Sequence, residues 1–169
     1  MRLAVVAATA LLLQRAGIAA DVSGTLTGDL SLPAGQHRLT GNLTIEATGS
    51  LTLQPGAELR ATGSFVISVY GTLRASGTSA QPCLIAAAAA RPGSWQGIVA
   101  FSGATLSLTY TTVAGAGTNV TANGCNLALN GCVIRDCARD GVAVYGPSSV
   151  NISECSFVSC GRRGLFLET

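Results

Sequence analysis

The chain has 169 residues, of which 48% are hydrophobic and 11% are charged, and its formal net charge is +2. A chain of this length and apolar content can form one domain with a sizeable core. The small net charge excludes the broad basic surface with which many proteins bind nucleic acid or anionic membranes. We therefore expect no nucleic-acid partner.

The N-terminal segment has the pattern of a secretory signal peptide. Arg2 is followed by the apolar stretch Leu3–Leu13, and Gly17–Ala20 supplies small residues for cleavage. We predict that Met1–Ala20 is a signal peptide, that residues 21–169 form the domain, and that the protein is secreted or held at the cell surface. A buried N-terminal helix or a membrane anchor is the alternative, but the apolar stretch is shorter than the roughly 20 residues that span a bilayer. No later apolar run is long enough to span one.

Short alternating strands follow, separated by turns. They read LTGDLSLPAG (26–35), LTIEATGSLTLQPGAELRATG (43–63) and VISVYGTLRASGT (66–78). Leu and Ile recur at every second position, whereas a helix would need apolar residues three and four apart. His37, which stands in an early polar turn, is expected at the surface.

Three motifs along this part of the chain resemble a known family. They are PGAEL (55–59), GTLRASGT (71–78) with Pro82, and WQGI (95–98). They are similar to the right-handed parallel β-helix proteins of the pectate-lyase-like superfamily, in particular its surface and extracellular members. The resemblance implies an all-β, right-handed parallel β-helix solenoid of about six coils. It implies no activity, because the matching residues belong to turns and core, and it favours packing of Trp95 against a neighbouring coil over a sugar-stacking role.

The clearest internal repeat lies near the end of the chain. LALNGCVIRDCARDGVAVYG (127–146) and VNISECSFVSCGRRGLFLE (150–168) coincide when one is shifted along the other. A single offset places Cys132 on Cys155 and also Cys137 on Cys160. A slightly shorter offset brings Leu106 onto Leu127. Repeats of this length with several short strands are typical of a β-helix whose coils cover one another.

The last apolar strand, at 164–167, begins a coil that is not followed by another. An uncovered solenoid end exposes apolar surface and strand edges. We therefore expect either further sequence after this point, so that the domain is truncated at its C-terminal end, or a partner chain that covers it.

The six cysteines allow two interpretations. Neighbouring coils lie about 4.8 Å apart, so Cys132 with Cys155 and Cys137 with Cys160 could form disulfides, as is common in secreted chains. The same spacing keeps the Cβ atoms wider apart than a disulfide prefers, so a ladder of stacked free thiols is the alternative. The sequence has no Cys-x-x-Cys pair and its only histidine is distant from the cluster, so no metal and no cofactor is expected.

Three Asn-x-Ser/Thr triplets begin at Asn42, Asn119 and Asn151. Such triplets are glycan acceptors in secreted eukaryotic proteins, although β-helix strands and turns are rich in Asn and Thr in any case. Asn119 is the preferred candidate, because GAGTN reads as an exposed loop.

Charged residues cluster beside the turn after Cys137. The cluster consists of Asp136, Arg139, Asp140, Arg162 and Arg163. The offset that aligns the cysteines also stacks Arg139 on Arg162 and Asp140 on Arg163. The functional interpretation is a small site for an acidic sugar, or a lyase-type arginine base with calcium on the carboxylates. The alternative is an exposed turn with one weak salt bridge between coils.

No convergent set of catalytic residues accompanies the repeat. Glycosidases need two carboxylates at a defined separation, and only Asp136 and Asp140 are close in sequence, within one turn. We therefore predict a secreted or cell-surface scaffold for binding or adhesion to carbohydrate or another surface protein, without catalysis. The alternatives are a fragment of a polysaccharide lyase or glycoside hydrolase, and a wall or matrix protein assembled end to end.

Overall fold

The computed structural model describes residues 3–5, 19–89 and 91–168, and of 3–5 only the backbone. Nearly all regular structure consists of short parallel strands. The strands are β1 (Leu3–Val5), β2 (Ala20–Leu26), β3 (Asp29–Leu32), β4 (Gly35–Ile45), β5 (Ser50–Leu53), β6 (Ala57–Ala61), β7 (Val66–Val69), β8 (Thr72–Ser76), β9 (Cys83–Ala87), β10 (Gly97–Ala100), β11 (Thr105–Thr109), β12 (Thr111–Ala114), β13 (Val120–Asn123), β14 (Asn126–Asn130), β15 (Val133–Cys137), β16 (Val142–Tyr145), β17 (Ser149–Ser153), β18 (Ser156–Cys160) and β19 (Leu165–Glu168).

These strands form a parallel solenoid of about six coils, as predicted. Each coil after the first contributes one strand to each of three rows. The first row is the six-stranded sheet β3-β5-β8-β11-β14-β17. The second row is β4-β6-β9-β12-β15-β18, and the third is β4-β7-β10-β13-β16-β19. The long strand β4 joins the last two rows, because its first half pairs with β6 and its second half with β7.

The core consists of like residues stacked from coil to coil. In the first row Leu30, Leu51, Leu73, Leu106 and Leu127 are successive register partners. All five are at most 3% exposed. Because side chains alternate between the two faces of a strand, each strand contributes every second residue to this continuous interior. In the last coil the next register partner in this stack, Val150, is 38% exposed.

Residues that the sequence repeats align with one another are register partners on adjacent strands of the structure. Cys137 pairs with Cys160 and Val142 with Leu165, as the offset between the last two repeats required. Leu106 pairs with Leu127, as the shorter offset required. Between β8 and β11 the coil is longer, since Thr105 pairs with Thr72 on the preceding side. The extra residues lie in the turns on either side of β9.

Corners between rows use left-handed backbone at equivalent positions. Tyr110, Gly131 and Glu154, which end the first-row part of three successive coils, have φ values of 40°, 61° and 52°. Asp136 and Ser159 have φ values of 53° at equivalent points of two coils in the second row. Since few non-glycine residues adopt this conformation, contacts between the stacked coils must hold the corner residues in it.

Part of the predicted signal peptide lies within the described residues. Leu3–Val5 pairs in parallel with Ala20–Val22 of β2, and Ala20 is fully buried. Residues 1–2 and 6–18 lie outside the described residues, so the signal peptide stays a prediction. Among the residues that the structure describes, none belongs to a helix long and apolar enough to cross a bilayer.

His37 is not at the surface, contrary to prediction, and is only 1% exposed. Its Nδ1 accepts a hydrogen bond from the Ala20 backbone N–H at 3.1 Å, and its Nε2 donates to the Pro33 carbonyl at 2.8 Å. The imidazole thus ties the start of β2 to the turn before β4. A histidine with both nitrogens bonded to backbone is a structural residue.

Candidate functional site

In the predicted charged turn, the buried carboxylate of Asp140 pairs with Arg163 and, at 3.9 Å, with Arg162 of the next coil. Arg163 donates from Nε to Asp140 Oδ1 at 2.8 Å and from an Nη atom to Oδ2 at 3.3 Å. Asp140 is only 3% exposed. The neighbouring arginines also stack between coils, because the Arg162 N–H donates to the Arg139 carbonyl at 2.9 Å.

The Asp140–Arg163 ion pair joins two neighbouring coils. The hydrogen bond from Arg163 lowers the pKa of Asp140 below its usual range. The Arg163 guanidinium also lies over the Phe166 ring, 3.6 Å from its centroid. Both functional groups therefore have partners within the fold, and Asp140 is buried besides, so the pair joins the two coils. The ligand-binding interpretation of this turn stays a prediction.

Asp136 has a different partner from Asp140 and lies on the outer surface of the second row. Its carboxylate pairs with the guanidinium of the preceding residue, Arg135. Together these two residues close one end of a groove on the outer face of the second row. The cluster predicted from sequence is thus divided between an inter-coil ion pair and a surface groove.

The groove is built by four strands in register. Arg60 of β6 pairs with Ala86 of β9, Ala86 with Ala114 of β12, and Ala114 with Arg135 of β15. The two alanines, at 6% and 4% exposure, form a low floor between two long side chains. Leu84 and residues 87–89 complete a cavity of about 120 Å³.

Each end of the groove has a hydrogen-bond donor beside an acceptor. Arg60 contacts Glu58 at 2.9 Å from Nη2 and at 3.0 Å from Nε. Arg135 and Asp136 form the opposite end. The two ends are three strand spacings apart, which corresponds to about 14 Å. The floor is apolar and the charges at the two ends balance.

Sequence reasoning missed the groove except for Asp136. The coils that align Arg60, Ala86 and Ala114 are longer than the repeats near the end of the chain, because the turns around β9 are longer. Only the observed register places these three side chains in one line. An alanine-rich strand between two outward arginines was the one signal available in the sequence.

All six cysteines are free in the structure. Thr111, Cys132 and Cys155 occupy equivalent inward positions, one residue before register partners of the second row. Each donates to the carbonyl two residues earlier, at 2.9, 3.4 and 3.1 Å respectively. The two thiols therefore donate the same hydrogen bond that the Thr111 hydroxyl donates in the preceding coil. Burial raises the pKa of Cys132 to about 11.

Cys137 and Cys160 form a second pair with a different environment. They are direct register partners at the ends of β15 and β18. Cys137 is 1% exposed, whereas Cys160 is partly accessible. Burial, with the adjacent Cys160 thiol as the next cause, raises the pKa of Cys137 to about 12.

The three candidate glycan acceptors differ in exposure. Asn42 and Asn151 are exposed, and they remain candidates. The prediction that Asn119 lies in an exposed loop is wrong, because Asn119 is fully buried. Its Nδ2, the atom to which a glycan would be attached, donates to the Val113 and Arg135 carbonyls at 3.0 and 2.8 Å.

Trp95 packs in the core, as the resemblance implied. It is 1% exposed, and its Nε1 donates to the Ala114 carbonyl at 2.9 Å. Within the described part of the chain, no group of three or more His, Cys, Asp or Glu residues is arranged to hold a metal ion.

Comparison with known proteins is informative at the level of the family. Residues 61–169 match the family model described as right handed beta helix region. Searches of curated proteins and of solved structures found no match. The matched part covers most of the groove, the inter-coil ion pair and both cysteine pairs. The chain therefore belongs to the right-handed β-helix family.

Proposed function

We propose that this protein is a rigid, secreted or cell-surface scaffold that binds a polysaccharide chain across the groove between Arg60 and Arg135, without chemistry of its own. The observation that carries the proposal is the floor of Ala86 and Ala114 between Arg60, which is paired with the adjacent Glu58, and Arg135, which is paired with Asp136. The pattern of the N-terminal segment supports secretion.

The chemistry of the groove suits a hydroxyl-rich polymer. The apolar floor can contact the C–H face of a sugar ring. Guanidinium N–H groups and carboxylate oxygens at each end can donate to and accept from hydroxyl groups. A cavity of about 120 Å³ is small compared with the roughly 300–1,000 Å³ of small-molecule pockets. It fits a short stretch of a long chain better than a whole enclosed metabolite.

The positions of the carboxylates favour binding over hydrolysis. Glu58 and Asp136 stand on strands about 14 Å apart, whereas the two carboxyl groups of glycosidases are about 5–9.5 Å apart. Each of these carboxylates is also held by its own arginine. The groove thus has the polar groups of a binding surface and lacks the paired spacing of an acid and a base.

The test is affinity electrophoresis of the purified chain in gels containing polygalacturonate, xylan or dextran. We expect retardation by at least one polymer, and we expect Arg60→Ala and Arg135→Ala each to weaken binding about tenfold or more, since a hydrogen bond to a charged group contributes about 1.5–3 kcal/mol. Arg74→Ala is the matched control, because Arg74 is an exposed arginine on the first row.

Two results would contradict the proposal. Equal loss of binding in the Arg74 variant would remove the groove as the site. New reducing ends or unsaturated sugar products after incubation with any of the polymers would show catalysis, and the lyase or hydrolase alternative would then replace the scaffold.

A further inference from the structure

The Cys137–Cys160 pair differs from the other stacked thiols in what its sulfur atoms contact. Cys132 and Cys155 donate to backbone carbonyls at 3.3 and 3.1 Å. The carbonyl contact of Cys160 is long, at 3.9 Å to Val158. Cys137 and Cys160 are direct register partners on adjacent parallel strands, so their side chains stack one above the other.

A glycine keeps space beside the Cys160 sulfur atom. A Cβ atom at Gly141 would lie only 3.0 Å from the Cys160 sulfur and 2.5 Å from the Gly164 carbonyl oxygen. The turn above the pair therefore passes without a side chain. Because Cys160 is partly accessible while Cys137 is buried, the pair can be reached from one side only.

The spacing of the strands decides which chemistry the pair suits. Partners on parallel strands lie about 4.8 Å apart, and identical side chains in the same rotamer keep that distance. A disulfide needs sulfur atoms about 2.05 Å apart and Cβ atoms about 3.5–4.5 Å apart, so the backbone would have to move. A cation with two metal–sulfur bonds in a line, each about as long as the 2.3 Å of a zinc–thiolate bond, spans about 4.6 Å, which agrees with the stacking distance.

We propose that Cys137 and Cys160 form a two-coordinate thiolate site for a soft monovalent cation such as Cu(I) or Ag(I). Thiolate sulfur is the ligand that such soft cations prefer. On binding, each thiol releases one proton to solvent and forms one sulfur–metal bond, and the oxidation state of the metal does not change. The bound unit carries one negative charge.

This site is independent of the polysaccharide groove and needs only two ligands. It is consistent with the lack of any cluster of three or more metal-ligating residues among the described ones. Its expected effect is structural, because the cation would join the coil of β15 to the coil of β18.

The experiment uses the full chain, reduced with a phosphine and handled without oxygen. Ag(I) is the first probe, because it undergoes no redox change with thiols, and Cu(I) in competition with bicinchoninate is the second. Native mass spectrometry gives the number of bound ions, and thermal unfolding gives the stabilisation. Cys160→Ser, at a partly exposed position, is the test variant, and Cys155→Ser, partly exposed in the other thiol column, is its matched control.

We expect the wild type to bind one ion that the Cys160 variant no longer binds, or binds at least tenfold more weakly, while the Cys155 variant keeps it. Circular dichroism of both variants establishes that they are folded. Retention of that ion by the Cys160 variant, or an equal loss in the Cys155 variant, would overturn the proposal. A Cys137–Cys160 disulfide found by peptide mapping before reduction would overturn the distance argument.

Discussion

Replacing Asn119 by alanine should destabilise the solenoid through one side chain. The amide of Asn119 donates to the carbonyls of Val113 and Arg135, and its Oδ1 accepts from the Ala116 N–H at 3.0 Å. Val113 and Ala116 belong to the same coil as Asn119, whereas Arg135 belongs to the next one. The substitution therefore removes both a local turn contact and a contact between coils.

The magnitude follows from three lost hydrogen bonds at a fully buried position. At about 1 kcal/mol each, the loss is about 3 kcal/mol in the free energy of unfolding, and partners left without a hydrogen bond raise it. For a domain of this size, 1 kcal/mol corresponds to about 2–4 °C, so Tm should fall by about 6–12 °C. Asn119→Asp should cost at least as much, because it puts carboxylate oxygen against two carbonyl oxygens.

Urea and thermal unfolding followed by far-ultraviolet circular dichroism measure the effect. Asn126→Ala is the control, since Asn126 is exposed on β14, and its change should stay within about 0.5 kcal/mol of wild type. If the Asn119 and Asn126 variants unfold together, the buried amide does not hold the two coils and the reasoning fails.

Two further predictions concern Gly71 and Asp140. A Cβ atom at Gly71 would lie 2.1 Å from the Glu46 carbonyl oxygen, so Gly71→Ala should lower Tm sharply. At Gly117 no atom lies within 4 Å of such a Cβ atom, so Gly117→Ala should change stability by less than about 1 kcal/mol. Equal Tm values for the two variants would refute the close approach of the coils. The pKa of Asp140 is lowered by the hydrogen bond from Arg163, so the pair stabilises the fold above the unfolded-state pKa of about 3.9 and the effect disappears as pH falls through the folded-state value. Urea midpoints should therefore show Asp140→Asn less stable than wild type at pH 7 and similar to it at strongly acidic pH, and a difference that does not vary with pH would contradict the assignment.

The sequence by itself determined the architecture and most of the register near its end. Leucine and isoleucine at every second position predict strands with one buried face. An offset shared by Cys137–Cys160 and Val142–Leu165 predicts which residues stack, and both pairs are register partners. This was possible because parallel in-register stacking places like residues on like residues, so the repeat in the sequence is also the repeat in space.

Only the tertiary structure decided burial in the turns and the position of the groove. Asn119 and His37 read as surface residues, yet both are buried because a neighbouring coil offers backbone groups that their side chains can bond. Arg60 and Arg135 stand at two ends of one groove because the extra residues around β9 shift the register between them. Alternation within a strand is a local property, whereas turn length and the identity of the next coil set these contacts, so they follow from the assembled solenoid.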